Sequence, residues 1–257
     1  FGIREHAMGA ICNGIALYSS LLPFCSTFLS FSNYMMPAIR MASMMRLPVN
    51  FFFTHDSLLI GEDGPTHQPI EQIAQLRAIP DNFVYRPATP AELLACYDLA
   101  YSTNYPNCFV LSRQNLPQIE STSFTFAKRG GYLLESDGAK IDVALFASGS
   151  ELSLALNVKQ ELNNRGYKVS VSSFPCFEQF EKQTTAYKKS VVAPNAKLRV
   201  AIECSDDNIW YKYLTPDDLF VSVKKYGKSG KGKVVYNTGI VKGIVKLAVE
   251  DVAGVAI

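Results

Sequence analysis

This 257-residue chain is poor in the features that would assign it quickly. Its formal net charge is only +2, so no global electrostatic case for nucleic acid exists, and none is expected as a partner. Six cysteines are scattered with no CxxC pair, which fits neither a zinc site nor a dense disulfide framework. Buried, reduced thiols in a cytoplasmic protein are expected instead. Long uninterrupted apolar runs are missing as well: the stretch 34–53 is broken by Arg40, Arg46 and two prolines, so no membrane span is expected. Arg4 and Glu5 stand where a signal peptide would need its apolar core. Histidines number three, all within the first 67 residues, and no pair has the i, i+4 spacing of a helical zinc protease. A phosphate loop around the Gly-Lys-Ser at 227–229 would need a glycine five residues earlier, where Ser222 stands. The lysines at 224, 225, 228, 231 and 233 therefore read as a solvated basic loop. The chain opens on Phe1 with dense motif-like sequence at once, and it is expected to be part of a longer polypeptide.

What is present alternates in type. Helices are expected over 7–17, 31–45, 90–101 and 151–164, with a last one over 238–252. Short apolar strands are expected at 49–53, in CFVLSRQNLP, in IDVALFA, in YKVSVSSF and in LRVAIEC. Strands alternating with helices predict an α/β fold of two domains, each a mostly parallel sheet flanked by helices in three layers. A polar, weakly patterned stretch over 121–140 is the expected linker, which divides the chain into 1–120 and 141–257. Ser-Gly-Ser-Glu at 148–151 reads as an ordinary helix cap with an acidic first turn rather than an anion site.

Four places bear chemistry-capable residues. GEDGPTHQP at 61–69 is either a plain surface turn or a rigid loop presenting Glu62, Asp63 and His67. His55 follows an apolar strand and Arg113 follows another, and the carboxyl ends of parallel strands are where sites gather. Phe28, Phe31 and Tyr34 recur every three residues, as core on one helix face or as a wall for a flat heteroaromatic ring. Glu5 heads an apolar helix, as a solvated first-turn acid or as a carboxylate in an apolar pocket with a raised pKa.

Taken in order, FGIREHAMGAICNGIALY, STFLSFSNYMMPAIRMA, THDS, GEDGPTHQPIEQIAQLRAIP and LSRQNLP closely resemble the transketolase family of thiamine-diphosphate enzymes. The resemblance covers most of 1–117 and, more loosely, 142–181 through SGSELSLAL and SFPCFEQFEKQ. It implies a pyrimidine-binding domain, short of its beginning, followed by the family's C-terminal domain. By this resemblance Glu5 matches the glutamate that hydrogen-bonds the cofactor's aminopyrimidine ring and controls its tautomer, and Phe28, Phe31 and Tyr34 match the pocket around that ring. His67 and Asp63 match contacts to the sugar hydroxyls. His55 and Arg113 match substrate contacts, with the Arg113 guanidinium at the phosphate end. Glu5, His55 and His67 are the catalytic candidates.

The implied activity is transfer of a two-carbon ketol unit between sugar phosphates, in the pentose phosphate pathway, by a homodimer that uses thiamine diphosphate and a divalent cation such as Mg²⁺. In the family the cofactor lies across the dimer interface, and its diphosphate and metal are held by a separate domain with a Gly-Asp-Gly signature. No Gly-Asp-Gly occurs here, so no metal ligand is assigned to this chain and the chain alone is expected to be inactive. Leu59 stands where the family pattern usually has glycine. Dihydroxyacetone synthase, which shares these motifs, is the alternative enzyme, and a non-catalytic dimerisation or binding module the alternative class.

Overall fold

A computed structural model describes residues 1–236 of the chain; the helix expected over 238–252 lies outside the described residues. The first unit runs α1 (Glu5–Tyr18), β1 (Phe24–Phe28), α2 (Ser32–Met44), β2 (Asn50–Thr54), α3 (Gln72–Arg77), β3 (Phe83–Tyr85), α4 (Pro90–Tyr101) and β4 (Asn107–Val110). Its four strands pair in the order β1-β2-β4-β3, all parallel. The strand interiors are apolar on both faces, with Phe51, Phe53, Val84, Phe109 and Val110 buried, as a sheet covered by helices on each side requires. α4 begins where Pro90 fixes φ and Thr89 caps the free amide of Glu92.

The second unit adds α5 (Phe124–Ala127), β5 (Tyr132–Ser136), β6 (Val143–Ala147), α6 (Glu151–Asn164), β7 (Val169–Ser173), α7 (Phe177–Phe180), α8 (Thr185–Val192), β8 (Leu198–Ile202), β9 (Leu219–Val221) and α9 (Gly232–Tyr236). Its sheet order is β5-β7-β6-β8-β9, parallel except for β5. The two-sheet α/β architecture is thus the one expected.

Three local expectations are corrected. The stretch 121–140, read as a linker, supplies α5 and the antiparallel edge strand β5, and Tyr132 is buried with its hydroxyl donating to Glu92 Oε1 at 2.8 Å. Phe28, Phe31 and Tyr34 do not share one helix: they end β1, lie in a short 3₁₀ turn (Leu29–Phe31) and enter α2, respectively. The cap expected at 148–151 is half right: Glu151 is the acid of the first turn of α6, but the Ser150 side chain caps no amide, and Glu151 is fully buried because an arginine from the first unit comes to meet it.

That arginine is Arg86, one residue beyond β3 and fully buried. Its Nη2 donates to Asp56 Oδ2 at 2.9 Å, and its Nη1 to Glu151 Oε2 at 2.5 Å, to Ser148 O at 3.1 Å and to Glu203 Oε1. Asp56 follows β2, while Ser148 and Glu203 follow β6 and β8, so the two sheets meet carboxyl edge to carboxyl edge around one guanidinium. Glu203 Oε2 also accepts from Ser148 Oγ at 3.0 Å and Trp210 Nε1 at 3.3 Å. Three carboxylates against one cation in a dry interface cannot all be charged cheaply. Burial and the neighbouring Glu151 accordingly push Glu203 up to about 8, against the pull of Arg86, and burial raises Asp56 as well. A second buried cation, Arg77, donates to Asp207 Oδ2 at 2.7 Å and Glu178 Oε1 at 3.2 Å, again joining the two units.

Candidate active site at the sheet edge

Register decides what the carboxyl edge of the first sheet carries. Phe28 pairs with Thr54, and Phe53 with Val110, so β1, β2 and β4 end level with one another. Phe28, His55 and Arg113 are therefore delivered to one rim, on strands whose apolar interiors anchor them. His55 turns off its strand with φ of 64°, a left-handed conformation that a non-glycine residue adopts at a cost. The turn lays its imidazole flat on Phe28, with ring centroids 3.7 Å apart and planes inclined by 22°, and puts Nδ1 2.8 Å from Thr54 Oγ1.

The site loop closes over this rim. A 3₁₀ segment (Leu58–Asp63) begins with Ser57 accepting from the amide of Leu59, and Gly61 and Gly64 take φ of 75° and 77°. Those two reversals bring His67 back against the aromatic residues: its ring meets Phe31 edge-on at 5.2 Å and Phe28 at 6.2 Å. His67 Nδ1 lies 2.9 Å from Thr66 Oγ1. Phe28 and Phe31 are parallel at 5.8 Å, and Tyr34 follows Phe31 at 6.1 Å.

Charge converges on His55. Its pKa is lowered, first by partial burial and then by the Arg113 guanidinium, with His67 adding to the effect and the Asp63 carboxylate opposing it. The imidazole is thus held neutral, able to accept and donate hydrogen bonds without carrying charge. Asp63 and Arg113 are exposed, so both reach solvent and any polyhydroxylated or anionic ligand there.

Phe31 and Tyr34 border an open cavity of about 320 Å³ that Pro65, Thr66 and Tyr226 also line. One face of Phe28 is already covered by His55, so the free ring surface belongs to Phe31 and to Tyr34, which is 65% exposed. Glu5 is half-buried at the head of α1. It lies one turn before Gly9, which packs against Met35 and Ala38 of α2. Free aromatic faces beside a cavity fit a flat heteroaromatic ring.

Sequence reasoning reached His55, Asp63, His67 and Arg113, and the structure brings these four together. It missed Gln68 and Tyr226. Gln68 is buried, and its Nε2 donates to Gly61 O and to Lys228 O, each at 3.0 Å. The lysine-bearing segment therefore does more than face solvent: its backbone is seated on the site loop. No local pattern announces a contact between residues 160 positions apart.

Known proteins resemble this chain in sequence and in fold. Residues 1–118 match the family described as "Transketolase, pyrimidine binding domain", and residues 130–240 the "Transketolase-like TK C-terminal domain". The transketolase of Aquifex aeolicus (strain VF5) is 42% identical over 240 residues, which are 92% of this chain and 35% of that protein. That of Bacillus subtilis (strain 168) is 44% identical over 242 residues, 92% of this chain and 36% of the relative. The crystal structure of transketolase from Campylobacter jejuni superposes with a TM-score of 0.90 at 40% identity, over 97% of this chain and 39% of that one. Fold and comparison thus define a two-domain α/β protein of the transketolase type. The chain belongs to the transketolase family, whose members are transferases, and it corresponds to the C-terminal portion of such a protein. It spans little more than a third of the length of the curated relatives it matches.

Proposed function

We propose that this chain is the pyrimidine-binding and C-terminal part of a transketolase that moves a two-carbon ketol unit from a ketose phosphate to an aldose phosphate. The observation that carries the reading is the convergence of His55, Asp63, His67 and Arg113 on one strand-end rim beside the Phe31 and Tyr34 ring faces. We divide the chain into domains between 120 and 132, where β4 has ended and β5 has not begun.

Thiamine diphosphate, when bound, supplies the carbanion chemistry that side chains lack. Phe31 and Tyr34 would hold the flat pyrimidine by stacking, with Phe28 packed behind them under His55, and Glu5 would fix a proton at that ring through its carboxyl group. His55 stays neutral and, with His67, serves the oxygens next to the reacting carbon, where a group must exchange a proton without repelling a cation. Asp63 orients a sugar hydroxyl. Arg113, exposed at the outer end of the rim, grips the phosphate with its guanidinium fork. To the diphosphate and its divalent cation, Mg²⁺ by preference, we assign no residue of this chain; they require a diphosphate-binding domain.

The assembly is a homodimer in this reading. Ile11, Ile15, Leu17, Tyr18, Leu21 and Phe24 expose large apolar side chains on and after α1, the kind of surface a second subunit would cover. The compartment is cytoplasmic, supported by six buried cysteines, none of them in a disulfide. No helix among the described residues is long and apolar enough to cross a membrane. A chain described as a split gene transketolase, an inactive beta4 tetramer, shares the fold at a TM-score of 0.77 and 19% identity, and 83% of it is covered by this chain. A span of this kind standing alone without activity is what the reading expects here.

The test compares the chain alone with the chain supplied with a diphosphate-binding domain, each with thiamine diphosphate, Mg²⁺ and a ketose–aldose phosphate pair. Ketol transfer is expected only in the second case. Transfer by the chain alone, or none in either, overturns the reading.

A further inference from the structure

The site loop and the second unit are interlocked backbone to backbone. A methyl group on Gly61 would stand 2.5 Å from the amide nitrogen of Gly232 and 2.8 Å from the carbonyl of Gly230. One on Gly232 would strike the carbonyl of Leu59, and one on Gly64 would strike the Ser229 hydroxyl. Across the seam, Gln68 Nε2 donates one hydrogen bond back to Gly61 and one over to Lys228. Both partners are carbonyls, so the amide orientation is unambiguous, while Gln68 Oε1 faces Gly227 so closely that any side chain there would displace it. The glycines at 227, 230 and 232 thus make this segment a bed shaped to the loop that carries Asp63 and His67.

We infer that Gln68 is a positioning residue for this site, and that through it the segment 227–232 of the second domain holds the Asp63–His67 loop in its working geometry. The inference rests on the proposed ketol transfer only for what the loop does. Contact alone would be an ordinary domain interface; three features make it a positioning device. Gln68 directly follows His67, so moving its amide moves that imidazole. Its two acceptors lie on opposite sides of the seam, so neither can shift without losing a bond. And Gly61, whose left-handed turn aims the loop, is the residue that Gln68 and Gly232 both hold.

Two variants of this 257-residue chain test the inference from either side of the seam. Gln68→Glu keeps shape but replaces both donors with an acceptor-only carboxylate facing two carbonyls. Gly232→Ala adds the methyl that meets Leu59, at a helical position without a positive φ, where alanine otherwise favours the helix. Hydrogen exchange on the chain itself reads the interlock without any turnover. Each variant is expected to speed exchange of the amides at 58–68 about tenfold or more while those of β2 and β6 keep their rates. Because the two act on one seam, the double variant should exceed the stronger single one by little.

In the protein completed with a diphosphate-binding domain, both should raise the KM for the sugar and lower kcat. Unchanged exchange at 58–68 overturns the inference, and so does acceleration spread evenly over both domains. Should Gly232→Ala fail to fold, Gln68→Glu decides alone. If exchange responds as expected but the completed parent protein transfers no ketol unit, the functional reading fails and the interlock stands.

Discussion

Phe28 and His55 lie face to face with 3.7 Å between ring centroids, on neighbouring parallel strands that end level with one another. The stack explains why His55 accepts a left-handed backbone: the turn places its ring on an aromatic floor instead of in solvent. It also partly buries the imidazole, which together with Arg113 keeps it neutral.

Titrated by NMR, His55 should lose its proton below the ordinary histidine value of 6.5. Arg113→Ala removes a repelling cation and should raise that pKa, whereas Asp63→Asn removes a stabilising carboxylate and should lower it further. Shifts of the opposite sign in either variant would mean that the charges do not converge on this imidazole.

Arg86→Met would leave Asp56, Glu151 and Glu203 buried without their cation. Breaking one side of a buried charge cluster costs about 3–5 kcal/mol, and urea denaturation should show a loss of that order. A loss below about 1 kcal/mol would mean that water or protonation relieves the cluster almost completely.

Stability should also depend on pH through Glu203. Unfolded, this group releases its proton near 4.5; folded, it retains it up to about 8. Between these values the folded chain binds more protons, so its contribution is full below 4.5 and is lost as the pH climbs to 8. One proton corresponds to a slope of about 1.4 kcal/mol per pH unit at most. Buried Asp56 acts in the same direction, and His55, with its lowered value, acts in the other. Denaturation series at several pH values on the parent and on Glu203→Gln separate them: the variant should lose the part of the downward slope that Glu203 supplies.

In the completed enzyme, Glu5→Gln should cut turnover by about 10²–10⁴-fold with the fold intact, the usual range for general acid–base work. Arg113→Ala should raise the KM for phosphorylated substrates roughly ten- to a hundredfold, since a charge-assisted hydrogen bond contributes about 1.5–3 kcal/mol, and should spare unphosphorylated analogues. Equal losses for both substrate types would point to a structural role for Arg113.

Legibility in the sequence followed locality. The helices at Pro90–Tyr101 and Glu151–Asn164 matched their expected bounds, the first because Pro90 and the Thr89 cap open it, the second because an apolar period runs from an acidic first turn to just before Gly166. β1 was passed over, since the five residues Phe24–Phe28 follow a proline-containing stretch that reads as a connection. β5 was lost to the linker, because an edge strand with one exposed face carries little apolar signal. His55 and Arg113 were legible as polar residues just past apolar strands. Arg86 was not: a lone arginine beside a proline says nothing of three acids that lie 30, 65 and 117 positions away. Tyr226 and Gln68 were hidden for the same reason.

The edge-to-edge meeting of the two sheets bears on how such a protein is inherited and re-engineered. In open parallel sheets the carboxyl rim is where new ligand sites arise. Here the second sheet has given much of its rim to Arg86, and the segment 227–232 is committed to the loop of its neighbour. A transplant of the second domain from a relative would therefore have to bring Ser148, Glu151, Glu203 and the glycines at 227, 230 and 232 as a matched set. Half of that set would give a chimera that folds in pieces and aims its histidine loop at nothing.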